Sequence, residues 1–323
     1  MRREIITWSV IAAIIVGGFG VTVLALNNSL YSASGFVSSY LDALTRKDAA
    51  GALEIIGGIP DDADGVDTLL RRATMPDLTD VTIQSDEEVE NRVHRVTVSY
   101  KVDDTPGTTI FSVVSTGRAF GLFPEWTFTD GPLSTVYVTV VGDTRFTANG
   151  LDLVTPTPDE PQGYLAFTPG AVTLSHATTF LDAPPVTVPV SEPAASIPTA
   201  VVVQPNAHMI ELVQADVNDS LDTCATQEIL MPTGCPFGQS MSNRIASTPV
   251  WSIAQYPEVS IRMGERAGEW VVPSTPGTAH LLVDVRSLFD GTISTFDEDV
   301  PFTVSYAIAF LPGDELLITA RYE

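Results

Sequence analysis

The spacing of apolar and polar positions changes several times along the chain, and each change predicts a different element. From Ile5 to Leu26 no residue is charged. A helix over that run reaches roughly 33 Å at about 1.5 Å per residue, enough for a hydrocarbon core of about 30 Å. The pattern therefore predicts a membrane anchor, with Ile5, Trp8, Ile11, Ile15, Phe19 and Leu24 among its apolar side chains. Signal-peptide apolar regions usually run about 7 to 15 residues, so the length favours an anchor over a signal peptide cleaved after Val23 and Ala25. Beyond it, Phe36, Val37, Tyr40, Leu41 and Leu44 recur at helical period. Asp48 is placed to cap a second short helix, which Gly57 and Gly58 end.

The period then falls to two. In the stretch 93–102, Val96, Val98, Tyr100 and Val102 alternate with polar residues, which predicts a strand with one packed and one solvated face. Short strand-like runs continue from 132 to about 190, separated by turns at Asn149-Gly150 and Pro169-Gly170, and suggest a small β-sandwich. A proline-rich stretch reads as an extended connector. Helical period returns with Ile210, Val213, Val217 and Leu221, introduced by Asn206 and running into Cys224. Strands follow to the end, the clearest with Phe302, Val304, Tyr306, Ile308 and Phe310 in alternation, and a hairpin is expected at Pro312-Gly313.

These patterns predict an α+β protein. Its expected parts are a cytoplasmic tail at 1–4, a transmembrane anchor at 5–26 and an exported helix-plus-antiparallel-sheet module at 32–131. An all-β spacer at 132–190, a proline-rich linker at 191–205 and a second α+β module at 206–323 complete it. The opening FVSSYLDALTRKDAAGALEII resembles the start of the NTF2-like or cystatin-like α+β fold. The order of short tail, single span, helical start and later β modules is similar to the teicoplanin-resistance-associated class of anchored envelope proteins, and to uncharacterised anchored proteins of actinobacterial type. That resemblance implies a non-catalytic envelope protein.

Charge and cysteine content sharpen the compartment. Arg2 and Arg3 precede the apolar run and the next basic residue is Arg46, so the positive-inside bias places the bulk of the chain outside the cytoplasm, at the cell membrane. There a pair of cysteines eleven apart, Cys224 and Cys235, is expected to form a disulfide. Ten intervening residues do not suit a thioredoxin-type redox pair, and no histidine stands at zinc-ligand spacing. With 40 acidic and 16 basic residues the formal charge is −24, which excludes nucleic acid as a partner.

Catalytic signatures fail one by one. Leu44 and Val98 stand three residues before the two lysines, so there is no Ser-x-x-Lys pair, and no Gly-x-Ser-x-Gly elbow occurs. The nearest approach, GQSMS at 238–242, reads as a polar loop. His94 shares parity with Val96 and points to the core or its rim, while His280 should be solvated. His176 and His208 fall near a sheet end and a helix start. The acidic run at 60–67 fails as a calcium loop, since aligning Gly65 with the invariant glycine puts Pro60 and Arg71 at the terminal ligand positions. Trp126, Trp251 and Trp270 read as core residues of strands, with a glycan platform as the other reading.

No catalytic, cofactor or metal residue is assigned on this basis. The expected function is binding or assembly in the cell envelope, with the lipid bilayer and an envelope protein or glycan as partners. The alternatives are a wall-active hydrolase or transferase of unrecognised type, and a small-ligand receptor with an NTF2-like pocket.

Overall fold

The computed structural model describes residues 2–27, 29–90, 92–119, 121–266, 268–311 and 315–321, with side chains described from residue 14 onward. Helix α1 (Arg2–Asn27) leads into α2 (Ala33–Thr45), whose N-terminus is capped by Ser32 accepting from the Gly35 N–H. Asp48 caps α3 (Ala49–Ile56) in the same way, and Gly57 closes that helix at φ +85°, a conformation costly for any residue with a Cβ. The two helices bury Val37, Tyr40, Leu41, Leu44 and Ala52 against an antiparallel meander. Its strands are β1 (Leu78–Glu90), β2 (Val93–Val102), β3 (Thr105–Ala119) and β4 (Phe123–Phe128), side by side in that order. Val96, Val98, Tyr100 and Val102 of β2 all point inward, as their alternation requires.

A two-sheet sandwich follows, built from β5 (Leu133–Val141), β6 (Arg145–Ala148), β7 (Leu151–Val154), β8 (Pro161–Phe167), β9 (Gly170–Ala177), β10 (Leu181–Val190), β11 (Ser196–Val202) and β12 (Gln204–Pro205). One sheet has the order β11-β5-β8 and the other β12-β10-β9-β6-β7. Val136, Val138 and Val140 of β5 share one core with Phe146, Val172, Leu174 and Val190 of the facing sheet. The Asn149-Gly150 turn joins β6 to β7 with both residues at positive φ, +47° and +78°.

Asn206 then caps α4 (Ala207–Ala225) by accepting from the Met209 N–H. The last sheet centres on two long strands, β16 (Trp270–Arg286) and β17 (Ile293–Leu311). The short strands β13 (Arg244–Ile245), β14 (Val250–Gln255) and β15 (Arg262–Met263) pair along the outer edge of β16, and β18 (Glu315–Ala320) pairs β17.

The parts are tied together. The Tyr40 hydroxyl lies 3.1 Å and 2.9 Å from the carbonyl oxygens of Pro132 and Thr168 in the sandwich. Leu133, Leu165, Phe167 and Ala171 of the sandwich join the core under α2 and α3. At the other end, the sandwich core runs without a break into Met209, Val213, Trp270 and Ile308 of the carboxy-terminal part.

The expected α+β class is corrected. The structure is mostly β, 49% strand and 20% helix, rather than two NTF2- or cystatin-like modules around a small spacer. The reason lies in strand length and in prolines. β3, β16 and β17 run over 15, 17 and 19 residues, and the stretch read as a linker contains β11 and β12. β11 is an edge strand, where Pro198 costs little because the missing N–H has no second partner to serve. The transmembrane element of that class is also not shown. Among the described residues no helix is long and apolar enough to cross a membrane. The side chains of Ile5, Trp8 and Ile11 lie outside the described ones. Ile15, Phe19 and Leu24 are described, and all three are exposed. The Pro312-Gly313 hairpin lies outside the described residues.

Candidate functional site

The disulfide organises the carboxy-terminal part. Cys224, in the last turn of α4, is bonded to Cys235 with the Cα atoms 5.8 Å apart. Inside the closed loop, Gln227 accepts from the Thr233 N–H at 2.8 Å and donates to the Thr233 carbonyl at 3.2 Å, a two-point clamp on the turn. Trp251 donates to the Ile229 carbonyl at 2.8 Å, and Phe237 packs between Trp251 and Phe302, with ring centroids 5.0 Å and 5.5 Å away. The loop is thus fixed to the sheet as well as to the helix. On the other flank of α4, Gln214 donates to the Pro257 carbonyl and accepts from the Val259 N–H, holding the chain before β15 against the helix.

Between α4 and the sheet, next to the loop, lies an open cleft of about 410 Å³. Asp216 and Ser220 line it from α4, Ser274 from β16, Thr303 and Ser305 from β17, and Arg321 just past β18. Paired bonds hold Arg321 in place: its N–H donates to the Ser305 carbonyl at 2.8 Å and the Ser305 hydroxyl donates to its carbonyl at 3.0 Å. The Arg321 guanidinium makes no ion pair with a described residue. The arrangement presents hydroxyls, one carboxylate and one guanidinium to whatever enters, over a floor that includes Tyr306. Sequence reasoning assigned none of these residues to a site, and read Tyr306 only as an apolar position of its strand. The available signal was that Thr303 and Ser305 alternate with the apolar run of β17, but the partner helix and the returning Arg321 come from distant parts of the chain.

The four histidines occupy four separate places. The Nδ1 of His94 is 2.7 Å from Asp86, and its ring meets Trp126 edge-on at 5.0 Å, at the rim of the first sheet. Among the described residues one carboxylate, that of Asp86, bonds to it. His280 is solvated, as its parity predicts, and reaches Asp299 and Asp297 at 2.8 Å each. Hydrogen bonding to those two carboxylates raises its pKa above the ordinary value, led by Asp299. His176 is buried, with Nδ1 2.8 Å from the Arg145 carbonyl and Nε2 3.5 Å from Asp143. Desolvation pushes the Asp143 carboxyl up. The Arg145 side chain and the backbone N–H groups of Thr144 and Arg145 outweigh it and leave the carboxyl below the usual range. His208 stacks on Phe180 at 5.8 Å. Among the described residues no three His, Cys, Asp or Glu side chains come together as a metal site.

The acidic run at 60–67 has a structural use. Val66 donates to the Gly163 carbonyl at 3.0 Å and accepts from the Leu165 N–H at 2.9 Å, extending the edge of β8. The Tyr137 hydroxyl donates to the Asp64 carboxylate, which holds the phenol pKa above its ordinary value. Gly65 approaches Gly163 so closely that a Cβ would meet its carbonyl atoms at 3.3 Å. Trp251 and Trp270 are core residues, whereas Trp126 is half-buried and donates to the Tyr31 carbonyl.

No family model, curated protein or solved structure matches this chain.

Proposed function

We propose that the protein is a non-catalytic binding protein of the cell envelope, its bulk on the extracytoplasmic side, which holds a glycan in the cleft between α4 and the last sheet. The observation that carries this reading is the cleft itself: hydroxyls of Ser220, Ser274, Thr303 and Ser305 with the guanidinium of Arg321, framed by a disulfide. Such a lining exchanges hydrogen bonds with sugar hydroxyls, and a rigid frame lowers the ordering cost of binding. The disulfide supports an oxidising compartment.

Contact with the lipid bilayer through α1 belongs to the same proposal. Val16 is 70% exposed and Phe19 60%, with Ile14, Ile15, Val21 and Leu24 in between. A helix apolar all round is stable only where water is excluded. Titration of the full chain in nonionic detergent with soluble glycan fragments of the envelope tests the cleft. Saturable binding is expected, weakened roughly tenfold in Arg321→Ala, the loss of about one charge-assisted hydrogen bond. Equal binding by wild type and Arg321→Ala, or none by either, refutes it.

A further inference from the structure

The chain leaving α1 is tied to the first sheet at once. Tyr31 donates its N–H to the Leu26 carbonyl at 3.0 Å, which closes the helix, and only residues 28–32 separate α1 from α2. The Asn27 side-chain amide donates to the Leu122 carbonyl at 3.1 Å. The Trp126 indole donates to the Tyr31 carbonyl at 2.8 Å, and the Tyr31 ring stacks on Phe123 with centroids 4.3 Å apart.

These bonds all reach one end of the sheet. β2 begins at Val93, opposite Val114, so residues 115–119 of β3 continue with β4 alone and form a two-stranded projection. Gly121 and Leu122 set its tip by donating to the Arg118 and Ala119 carbonyls. Leu122 is exposed there, as are Leu30 and Tyr31 in the segment that joins α1 to α2.

The joint also fixes depth. Over residues 14–26 of α1 the one polar side chain is Thr22, and its hydroxyl donates back to the Gly18 carbonyl at 2.9 Å. That stretch therefore offers a surrounding medium apolar groups only, as a hydrocarbon phase requires. Asn27 is the first polar side chain after it, and marks where that phase ends. The Leu122 carbonyl, within hydrogen-bond reach of Asn27, lies at the same level.

We infer that the tip of the β3–β4 projection, with Leu122 and Phe123, is a second membrane-contact surface in the interfacial zone beside the end of α1. The inference rests on the bilayer contact of α1 proposed above. Tyrosine and tryptophan favour that zone, where an apolar ring and a polar tip are both accommodated, and Tyr31 and Trp126 stand there together. The formal charge of −24, with Glu125 in β4 itself, opposes anionic head groups, so apolar and aromatic contact carries the attachment and a zwitterionic bilayer suffices. Held at the helix end and at the tip, the first sheet keeps a fixed orientation on the bilayer.

Both cysteines of the chain are in the disulfide, so single labelled cysteines can report position. The test uses the full chain in phosphatidylcholine vesicles, with a polarity-sensitive fluorophore on Phe19→Cys in α1, on Leu122→Cys at the tip, or on Thr105→Cys. Thr105 starts β3 at its opposite end, roughly 45 Å from the tip at about 3.3 Å per residue. All three native side chains are exposed, so the label displaces no core contact. Blue-shifted emission that nitroxide-bearing lipids quench is expected at positions 19 and 122, and neither effect at 105. Quenching at 19 without quenching at 122 would overturn the inference and leave the contact of α1 standing. Equal quenching at 105 and 122 would also overturn it, and absence of quenching at 19 would refute the contact of α1 and the inference together.

Discussion

His280 bonds Asp299 through Nδ1 and Asp297 through Nε2. Both acceptors are carboxylates, so both ring nitrogens must donate, which only the imidazolium can do. Its folded-state pKa is accordingly raised, and the sign of the pH dependence follows. The stabilisation it contributes is complete below the unfolded value of about 6.5 and is lost as pH rises through the higher folded value. Urea unfolding of wild type and His280→Gln from pH 5 to pH 9 is expected to show a stability gap at the acid end that closes toward the alkaline end. A gap that widens with pH refutes the assignment. Strand parity alone predicts a solvated His280, but not its partners. Asp299 lies directly opposite it on β17, and Asp297 two positions further on, a relation created by the register of β16 on β17 and invisible until the strands pair. For the same reason His94 was readable as a core or rim residue, while its bond to Asp86 depends on how β1 lies against β2.

Among the elements, α4 is the one whose face can be tested most sharply. Helical period marks Ile210, Val213, Val217 and Leu221 as its apolar stripe, and three of these are buried. The fourth position belongs to Met209, fully buried, while Ile210 is 37% exposed. The capping bond from the Met209 N–H to Asn206 sets that rotation, and a stripe at 209, 213, 217, 221 and 224 then leads the chain into the disulfide. Met209→Ala is expected to cost about 2–5 kcal/mol in chemical denaturation, and Ile210→Ala within roughly 0.5–1 kcal/mol. The reverse order would show that the helix is rotated from this placement. Caps were legible because they are local: Asp48 and Gly57 bound α3 as their chemistry requires. Strand length was not. Pro273 and Pro276 both lie inside β16, which passes through them. On its outer edge β15 pairs residues 270–271 and β14 pairs 278–282, which leaves the prolines unpaired on that side, while toward β17 the register shifts between Val272 and Thr275 and Pro276 lies opposite Thr303.

The whole molecule is a mostly β body whose sandwich joins both flanking units. Tyr40 bonds the first unit to it, and an unbroken core joins the last. Pattern reading found the helices at both ends and the sandwich turns. It divided the chain at a proline-rich stretch that instead supplies β11, parallel to β5, because edge pairing removes the usual penalty of proline. The cleft remained hidden for a related reason: Asp216, Ser220, Thr303, Ser305 and Arg321 span more than a hundred positions of sequence and meet only after α4 is pinned to the sheet through Cys224 and Cys235. The central claim is that this cleft is where the envelope partner sits. Its most direct test replaces Thr303 with a photo-crosslinking residue in intact cells, with the same residue at Glu298, on the same strand and outside the cleft, as the control. Adducts containing envelope glycan from position 303 and not from position 298 are predicted. Equal labelling from both positions, or adducts from position 303 that contain no glycan, would contradict the account.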